Sequence, residues 1–280
     1  MRRIIFSLYI DIPDHNLVSH HESKKKFQDN YEWLLSKQQE YADKLGIEYR
    51  HYKFDDDYIL FSEMFVLDYP EISEYNIVNF YKIHLLYKLA EEYDEILYLD
   101  FDVIPVTNLN FFEEWDFSKG IAIMTGTAEA QKEINEFDTL KYNHHVRSPM
   151  AKYWNTKCML QERELPTDNI DVFNTGIVGA SKEHLKSLDY FGDFKDTIEF
   201  MKELTQDDFY PDRIRNMFGF DNETIWGFKT LSNDIPYQKL ENGWHHFMDK
   251  WSYIPSDVKL VHCVSKDFDY VRNWCEKNNL

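Results

Sequence analysis

The chain has 280 residues, 43% hydrophobic and 17% aromatic, enough apolar material for a substantial core and too much for global disorder. Lys and Arg number 31 against 50 Asp and Glu, a formal charge of −19, which argues against a nucleic-acid backbone or an anionic membrane surface as main partner. A phosphorylated ligand would then need a cation or a local basic cluster. No stretch approaches the ~20 apolar residues of a membrane span. The three cysteines, Cys158, Cys263 and Cys275, show no zinc spacing and suit a reducing, cytoplasmic location.

MRRIIFSLYI starts basic and then apolar, as a secretory leader does. Its apolar part is short and meets Asp11 at once, so Arg3 to Ile10 reads as a first strand. Residues 23 to 45 lack Pro and Gly and carry Phe27, Tyr31, Leu34, Leu35 and Gln38 near helical spacing, and Gly46 stops that helix. IEYRHYKF is the next strand, and Asp55, Asp56 and Asp57 read as a solvated turn. NFYKIHLLYKLAEEY, apolar nearly all round, predicts a helix against a sheet, and EILYLDFDV a fully buried strand. This order predicts an α/β fold with a mostly parallel central sheet and helices on both faces. Ligands of such sheets bind beyond the carboxyl ends of the strands, where Asp11, Asp100 and Asp102 fall.

The second half is less regular. GIAIMTG and DVFNTGIVGAS read as strands, residues 182 to 204 as a helix and VKLVHCV as the last strand. Residues 127 to 170 and the Trp244–His245–His246 segment are expected to shape an acceptor site. With no repeat, low-complexity tract or linker, one domain over 1–280 is expected, its nucleotide-facing half ending at about residue 105 and its acceptor-facing half running from about 106 to 280.

Period-two geometry puts Asp100 and Asp102 on one strand face, where two hard oxygen donors suit Mg²⁺ or Mn²⁺ carrying substrate phosphates. The alternative is that both cap the next turn. His262 is either a satisfied core histidine or a third ligand, in which case its imidazole favours Mn²⁺. Lys266 is either a diphosphate contact or a surface lysine. Asn174 is either a backbone-satisfying amide or a ligand donor. Asp221 and Glu223, after a glycine and before an apolar run, offer an N-cap or groups for a sugar hydroxyl or a general base.

Together YDEILYLDFDVIPVTNL, FNTGIV, GFDNETIW and VKLVHCVSK resemble, in order, the motifs of GT-A glycosyltransferases. The likeness is greatest to family 8, which includes glycogenin and bacterial lipopolysaccharide galactosyl- and glucosyltransferases. The resemblance implies a GT-A fold and a metal-dependent hexosyltransferase acting with retention on a UDP-sugar, UDP-glucose being the expected donor. It assigns Asp100, Asp102 and His262 to the metal, Mn²⁺ or Mg²⁺. Lys82 would contact the donor, and Ser7, Tyr9 and Asp11 its base and ribose, while diphosphate contact through Lys266 is not carried by the resemblance. Asn174, Asp221, Asn222 and Glu223 would act at the reacting sugar. The acceptor, a glycan, lipid or protein, stays unassigned, and Glu223 or Asp221 as general base would give inversion instead. Two departures stand out: Asn222 replaces the family's glutamine, and after His262 the expected Gly and Lys-Pro-Trp are missing. A sugar-phosphate nucleotidyltransferase is the rival enzyme, disfavoured because DIPDHN after the first strand has no phosphate-cradling glycine. A metal-dependent carbohydrate-binding protein without catalysis is the other alternative.

Overall fold

The structure, a computed structural model, describes residues 1–14, 21–126, 132, 135–136, 140–142, 151–168, 170–215, 220–241, 243–249 and 253–280. Most of the 127 to 150 stretch expected to border an acceptor therefore lies outside the described residues. The chain forms two compact units. One comprises Met1–Met124, Gly176–Lys182 and Gln238–Leu280, the other Thr125–Thr175 and Glu183–Tyr237.

In chain order the elements begin with β1 (Arg3–Tyr9), α1 (His21–Leu45), β2 (Glu48–Lys53), α2 (Asp56–Asp68), α3 (Glu74–Ala90), β3 (Glu95–Asp100) and β4 (Val103–Pro105). There follow α4 (Phe111–Glu114), β5 (Ile121–Thr125), α5 (Ala151–Glu162), β6 (Phe173–Ser181), α6 (Lys182–Leu188) and α7 (Phe194–Gln206). The chain continues with α8 (Asp212–Arg215), α9 (Asn222–Ser232), β7 (Tyr237–Lys239), β8 (His246–Phe247), β9 (Leu260–His262) and α10 (Phe268–Lys277).

A six-stranded sheet has the order β2-β1-β3-β6-β5-β7. β1 pairs in parallel with β2 and β3, and β6 runs antiparallel to β3, Leu97 facing Gly179. The expected α/β architecture with its mostly parallel sheet is present. Ile4, Ile5, Phe6, Ile96, Leu97 and Leu99 are fully buried, as a strand covered on both faces requires. A second, three-stranded sheet of order β4-β9-β8 stands beyond the end of β3. Among the described residues no helix is long and apolar enough to cross a membrane.

Two expectations need correction. Asp55, Asp56 and Asp57 do not form a solvated turn but open α2. Asp55 caps it by accepting from the Tyr58 amide at 3.0 Å, and the next two carboxylates sit in the first turn, where the helix dipole favours them. The single helix expected from 182 to 204 is two, because Asp189 takes a left-handed backbone (φ 46°) that ends α6.

Candidate active site

The structure alters the geometry read from DFD. β3 ends at Asp100, Phe101 and Asp102 make a two-residue turn, and Val103 opens β4 in the other sheet. Only Asp100 is therefore on the strand. The change of sheet brings in His262, some 160 residues downstream. Val103 pairs antiparallel with His262, and the Cys263 amide donates to the Asp102 carbonyl at 2.9 Å. His262 Nε2 then lies 3.8 Å from Asp100 Oδ2 and 3.5 Å from Asp102 Oδ2. The three donor atoms are all within 4.8 Å of one another.

The turn is held from behind by a buried polar chain that the sequence did not reveal. The Gln38 carboxamide, fully buried on α1, donates to the Asp100 carbonyl at 2.9 Å and the Val103 carbonyl at 2.8 Å. It accepts from the Tyr49 hydroxyl at 2.9 Å, which also shares a 2.6 Å hydrogen bond with Ser7 Oγ, itself 2.9 Å from His51 Nδ1. Ser7, expected to touch a nucleotide, is thus buried with protein partners on its hydroxyl. Burial, and after it the Lys53 charge, pushes the His51 imidazole down to about 4.

The acidic groups are met by two ammonium groups, Lys82 on a buried and Lys266 on a half-buried side chain. Lys82 Nζ, on α3, donates to Asp100 Oδ1 at 3.3 Å, and the Tyr98 hydroxyl donates to the same oxygen at 2.5 Å. Lys266 Nζ donates to Asp102 Oδ2. Asp102 is only 4% exposed, and a bare carboxylate there would cost several kcal/mol. Burial works against its charge, yet the Lys266 ammonium and then His262 outweigh burial and hold the carboxyl well below the usual range. Lys266 is aimed by a tight turn in which its amide donates to the Cys263 carbonyl at 2.9 Å and its backbone is left-handed (φ 56°). His262 Nδ1 meets His245 Nε2 at 2.8 Å, and burial drives the His245 imidazole well below its ordinary value.

Tyr9 and Asp11 face an open cleft of about 430 Å³ lined also by Gln28, Tyr31, Lys53 and Phe54. The Tyr9 ring stacks on Phe101, the middle residue of the Asp-Phe-Asp turn, at 5.2 Å. Gln28 Nε2 donates to both Asp11 oxygens, at 3.2 and 3.1 Å.

In the other unit Asn174 Nδ2 and the Thr175 amide both donate to Glu223 Oε1, at 2.9 and 3.0 Å. Asn222 is buried, its amide donating to Thr175 Oγ1 at 2.7 Å. Asp221 is the N-cap of α9. Its Oδ1 accepts from the Glu223 and Thr224 amides at 3.0 and 2.9 Å, and its Oδ2 from the Thr224 hydroxyl at 2.7 Å.

The structure thus gathers Asp100, Asp102, His262, Lys82 and Lys266, and separately Asn174, Asn222 and Glu223. Sequence reasoning gave Gln38, Tyr98 and His245 no place at this cluster, and it expected His245 at an acceptor site. Tyr98 could have been found, since period two puts it on the Asp100 face. Two carboxylates and one imidazole are the donor set of a Mn²⁺ or Mg²⁺ site with positions left for substrate oxygens, and their spacing fits such an ion.

In open α/β sheets ligands bind beyond the carboxyl ends of the strands, which is where this cluster of carboxylates sits. The family described as glycosyl transferase family 8 matches residues 5–192, and the chain belongs to that family. It is a glycosyltransferase of the GT-A fold. Among solved structures, mouse xyloside xylosyltransferase 1 in its apo form is similar, at 11% identity and TM-score 0.49, over 94% of this chain and 98% of that one. A glycosyltransferase involved in glycosylation of the major capsid of PBCV-1 matches at 13% identity and TM-score 0.43, over 99% of this chain and 100% of that one. An active-site mutant of LgtC matches at 12% identity and TM-score 0.46, over 94% of this chain and 87% of that one. A search of curated proteins finds no match.

Proposed function

We propose that the protein transfers a hexose from a UDP-sugar, UDP-glucose foremost, to a glycan, lipid or protein acceptor with retention of configuration. The observation that carries this reading is the convergence of Asp100, Asp102 and His262 on one point, in a chain of family 8. These three residues would hold Mn²⁺ or Mg²⁺. When bound, the cation offsets negative charge growing on the departing diphosphate. Lys82 and Lys266 bring two ammonium groups to the same carboxylates and would take diphosphate oxygens. Tyr9 and Asp11, on the open cleft, suit stacking against a base and accepting from ribose hydroxyls. Ser7 would serve from behind, through Tyr49 and Gln38, rather than by touching the nucleotide.

Asn174 and Glu223 would hold sugar hydroxyls, each positioned by the hydrogen bond between them. Asn222, tied to Thr175, would brace Glu223, and Asp221, occupied as a cap, would set the start of α9. Nucleotide and acceptor sites within one domain over residues 1–280 complete this reading. The three cysteines, all buried and free of disulfides, are in keeping with a cytoplasmic location.

The test is a panel of UDP-sugars with Mn²⁺, reading released UDP. UDP-glucose turnover that disappears on chelation, returns with Mn²⁺ and is absent in Asp102→Asn is the expected outcome. Full activity of Asp102→Asn and Asp102→Ala would refute the site.

A further inference from the structure

His262 has two ring nitrogens with separate tasks. Nε2 points at Asp100 and Asp102, at 3.8 and 3.5 Å, while Nδ1 lies 2.8 Å from His245 Nε2. To serve as a metal donor, Nε2 must present a lone pair, so the proton of the neutral ring has to reside on Nδ1. That N–H needs an acceptor. The acceptor the structure supplies is His245 Nε2, which obliges His245 to carry its own proton on Nδ1.

His245 is an unusual choice for a purely structural position. Its side chain is 0% exposed, and its Nδ1 is buried with no hydrogen-bond partner among the described residues. A phenylalanine there would fill similar space and remove the unpaired Nδ1, but it would leave His262 Nδ1 without its partner, so it is that bond and not packing that favours the imidazole. What the imidazole adds is the bond to His262. The rings are held in register by the backbone: His245 precedes β8, Phe247 of β8 pairs in parallel with His262 of β9, and the Met248 amide donates to the His262 carbonyl at 2.9 Å. Phe247 packs against both imidazoles, with centroids 4.6 Å from His245 and 5.2 Å from His262.

We infer that His245 is a positioning residue of the cation site: by accepting the Nδ1–H of His262 it selects the tautomer, and fixes the ring plane, in which Nε2 faces Asp100 and Asp102. The inference rests on the metal reading above and deepens it. A ligand histidine is more often backed by a carboxylate or a backbone carbonyl. An uncharged imidazole backs His262 here, so the second shell adds no negative charge behind two aspartates.

The experiment compares the wild type with His245→Phe and His245→Gln, the latter keeping an acceptor oxygen on a side chain of similar reach. Mn²⁺ affinity is read from the free-ion electron paramagnetic resonance signal, and melting temperature by calorimetry. The Phe variant removes one buried unpaired nitrogen and creates another, so it should melt close to the wild type, yet it should bind Mn²⁺ about 10- to 100-fold more weakly, while the Gln variant recovers most of the affinity. Nitrogen-15 spectra of the wild type with Zn²⁺, a diamagnetic probe, should show His262 protonated on Nδ1 and His245 unprotonated on Nε2. Wild-type affinity in the Phe variant overturns the role of His245 alone, whereas His262 protonated on Nε2 in the Zn²⁺ form removes His262 from the ligand set and overturns this inference with it. If the wild type binds neither Mn²⁺ nor Zn²⁺, the metal reading falls and this inference with it.

Discussion

Gln38→Leu tests whether the Asp-Phe-Asp turn is held by the buried polar chain behind it. Leu fits the volume of the Gln38 side chain but removes its amide. Two carbonyls, of Asp100 and Val103, lose donors at 2.9 and 2.8 Å, and the Tyr49 hydroxyl loses its acceptor at 2.9 Å. Tyr49 keeps Ser7 Oγ as a neighbour at 2.6 Å and can donate there, so its share of the loss is small. Each carbonyl left short of a buried donor costs about 1 kcal/mol or somewhat more, giving a total of about 2 kcal/mol after the gain from a buried methyl group. For a chain of this length that corresponds to a fall of about 3–4 °C in melting temperature.

The second readout is Mn²⁺ affinity. Asp102 is carried by the turn that these carbonyls flank, so a loosened turn should weaken the cation site as well as the fold. Gln38→Glu separates the two ends of the side chain, because it keeps an acceptor for Tyr49 but faces two carbonyls with oxygens, and it should be worse than Leu. A Gln38→Leu protein melting within about 1 °C of the wild type, with unchanged Mn²⁺ affinity, would refute the claim that Gln38 anchors the turn.

Lys266→Met leaves the buried Asp102 without its ammonium, a loss of about 3–5 kcal/mol for a broken buried pair. The ion-free variant should melt early, and Mn²⁺ should raise its melting temperature by more than it does in the wild type, as calorimetry with and without the ion will read. Gly179→Ala sets a methyl 2.6 Å from Phe117 Cζ and 2.7 Å from Phe111 Cε1, both rings being buried, and should cost about 1–3 kcal/mol in a urea titration. Burial lowers the His51 imidazole from 6.5 to about 4, so the unfolded chain takes up its proton first. The contribution of a neutral His51 is therefore full above about pH 6.5 and lost as pH falls toward 4. His51→Gln should flatten the stability profile across that window. Glu223→Ala removes the acceptor shared by Asn174 and Thr175 and should lower UDP-glucose turnover at least about tenfold while leaving Mn²⁺ affinity unchanged.

Local patterning made much of the framework legible. β1, α1, β2, α3 and β3 follow from apolar runs and spacings that are plain in the sequence, and Gly46, at φ 65°, stops α1 where expected. α2 was obscured because three aspartates look like a loop until one of them is seen as a cap, and its hydrophobic residues make no clean stripe. Leu60, Met64, Val66 and Leu67 are exposed. The motif residues of the site were legible because their residue types are rare in apolar runs. Their supporting residues were not. Gln38 is one polar residue in a largely polar helix, and only the fold brings it to the Asp100 carbonyl, 62 positions away. His245 reads as part of a segment expected to shape an acceptor site, and only the pairing of β8 with β9 turns it inward against His262.

The charge problem posed by a −19 chain and an anionic donor is resolved locally. Charges more than about 8–10 Å away across solvent are largely screened at physiological salt, so the overall excess of acid says little about the potential at Asp100 and Asp102. Around those two carboxylates stand two ammonium groups, Lys82 at 3.3 Å from one and Lys266 on the other, both on largely buried side chains. The local sum is close to zero before any ligand arrives. A divalent cation together with a diphosphate adds little net charge to that sum, whereas either alone would leave a large uncompensated charge in a place poor in water. On this balance cation and UDP-sugar should bind with positive coupling, each raising the affinity for the other by the same factor. Isothermal titration of UDP with and without Mn²⁺, and of Mn²⁺ with and without UDP, measures that factor twice. Independent binding in both titrations would refute the balance, and with it the reason for two lysines at an acidic turn.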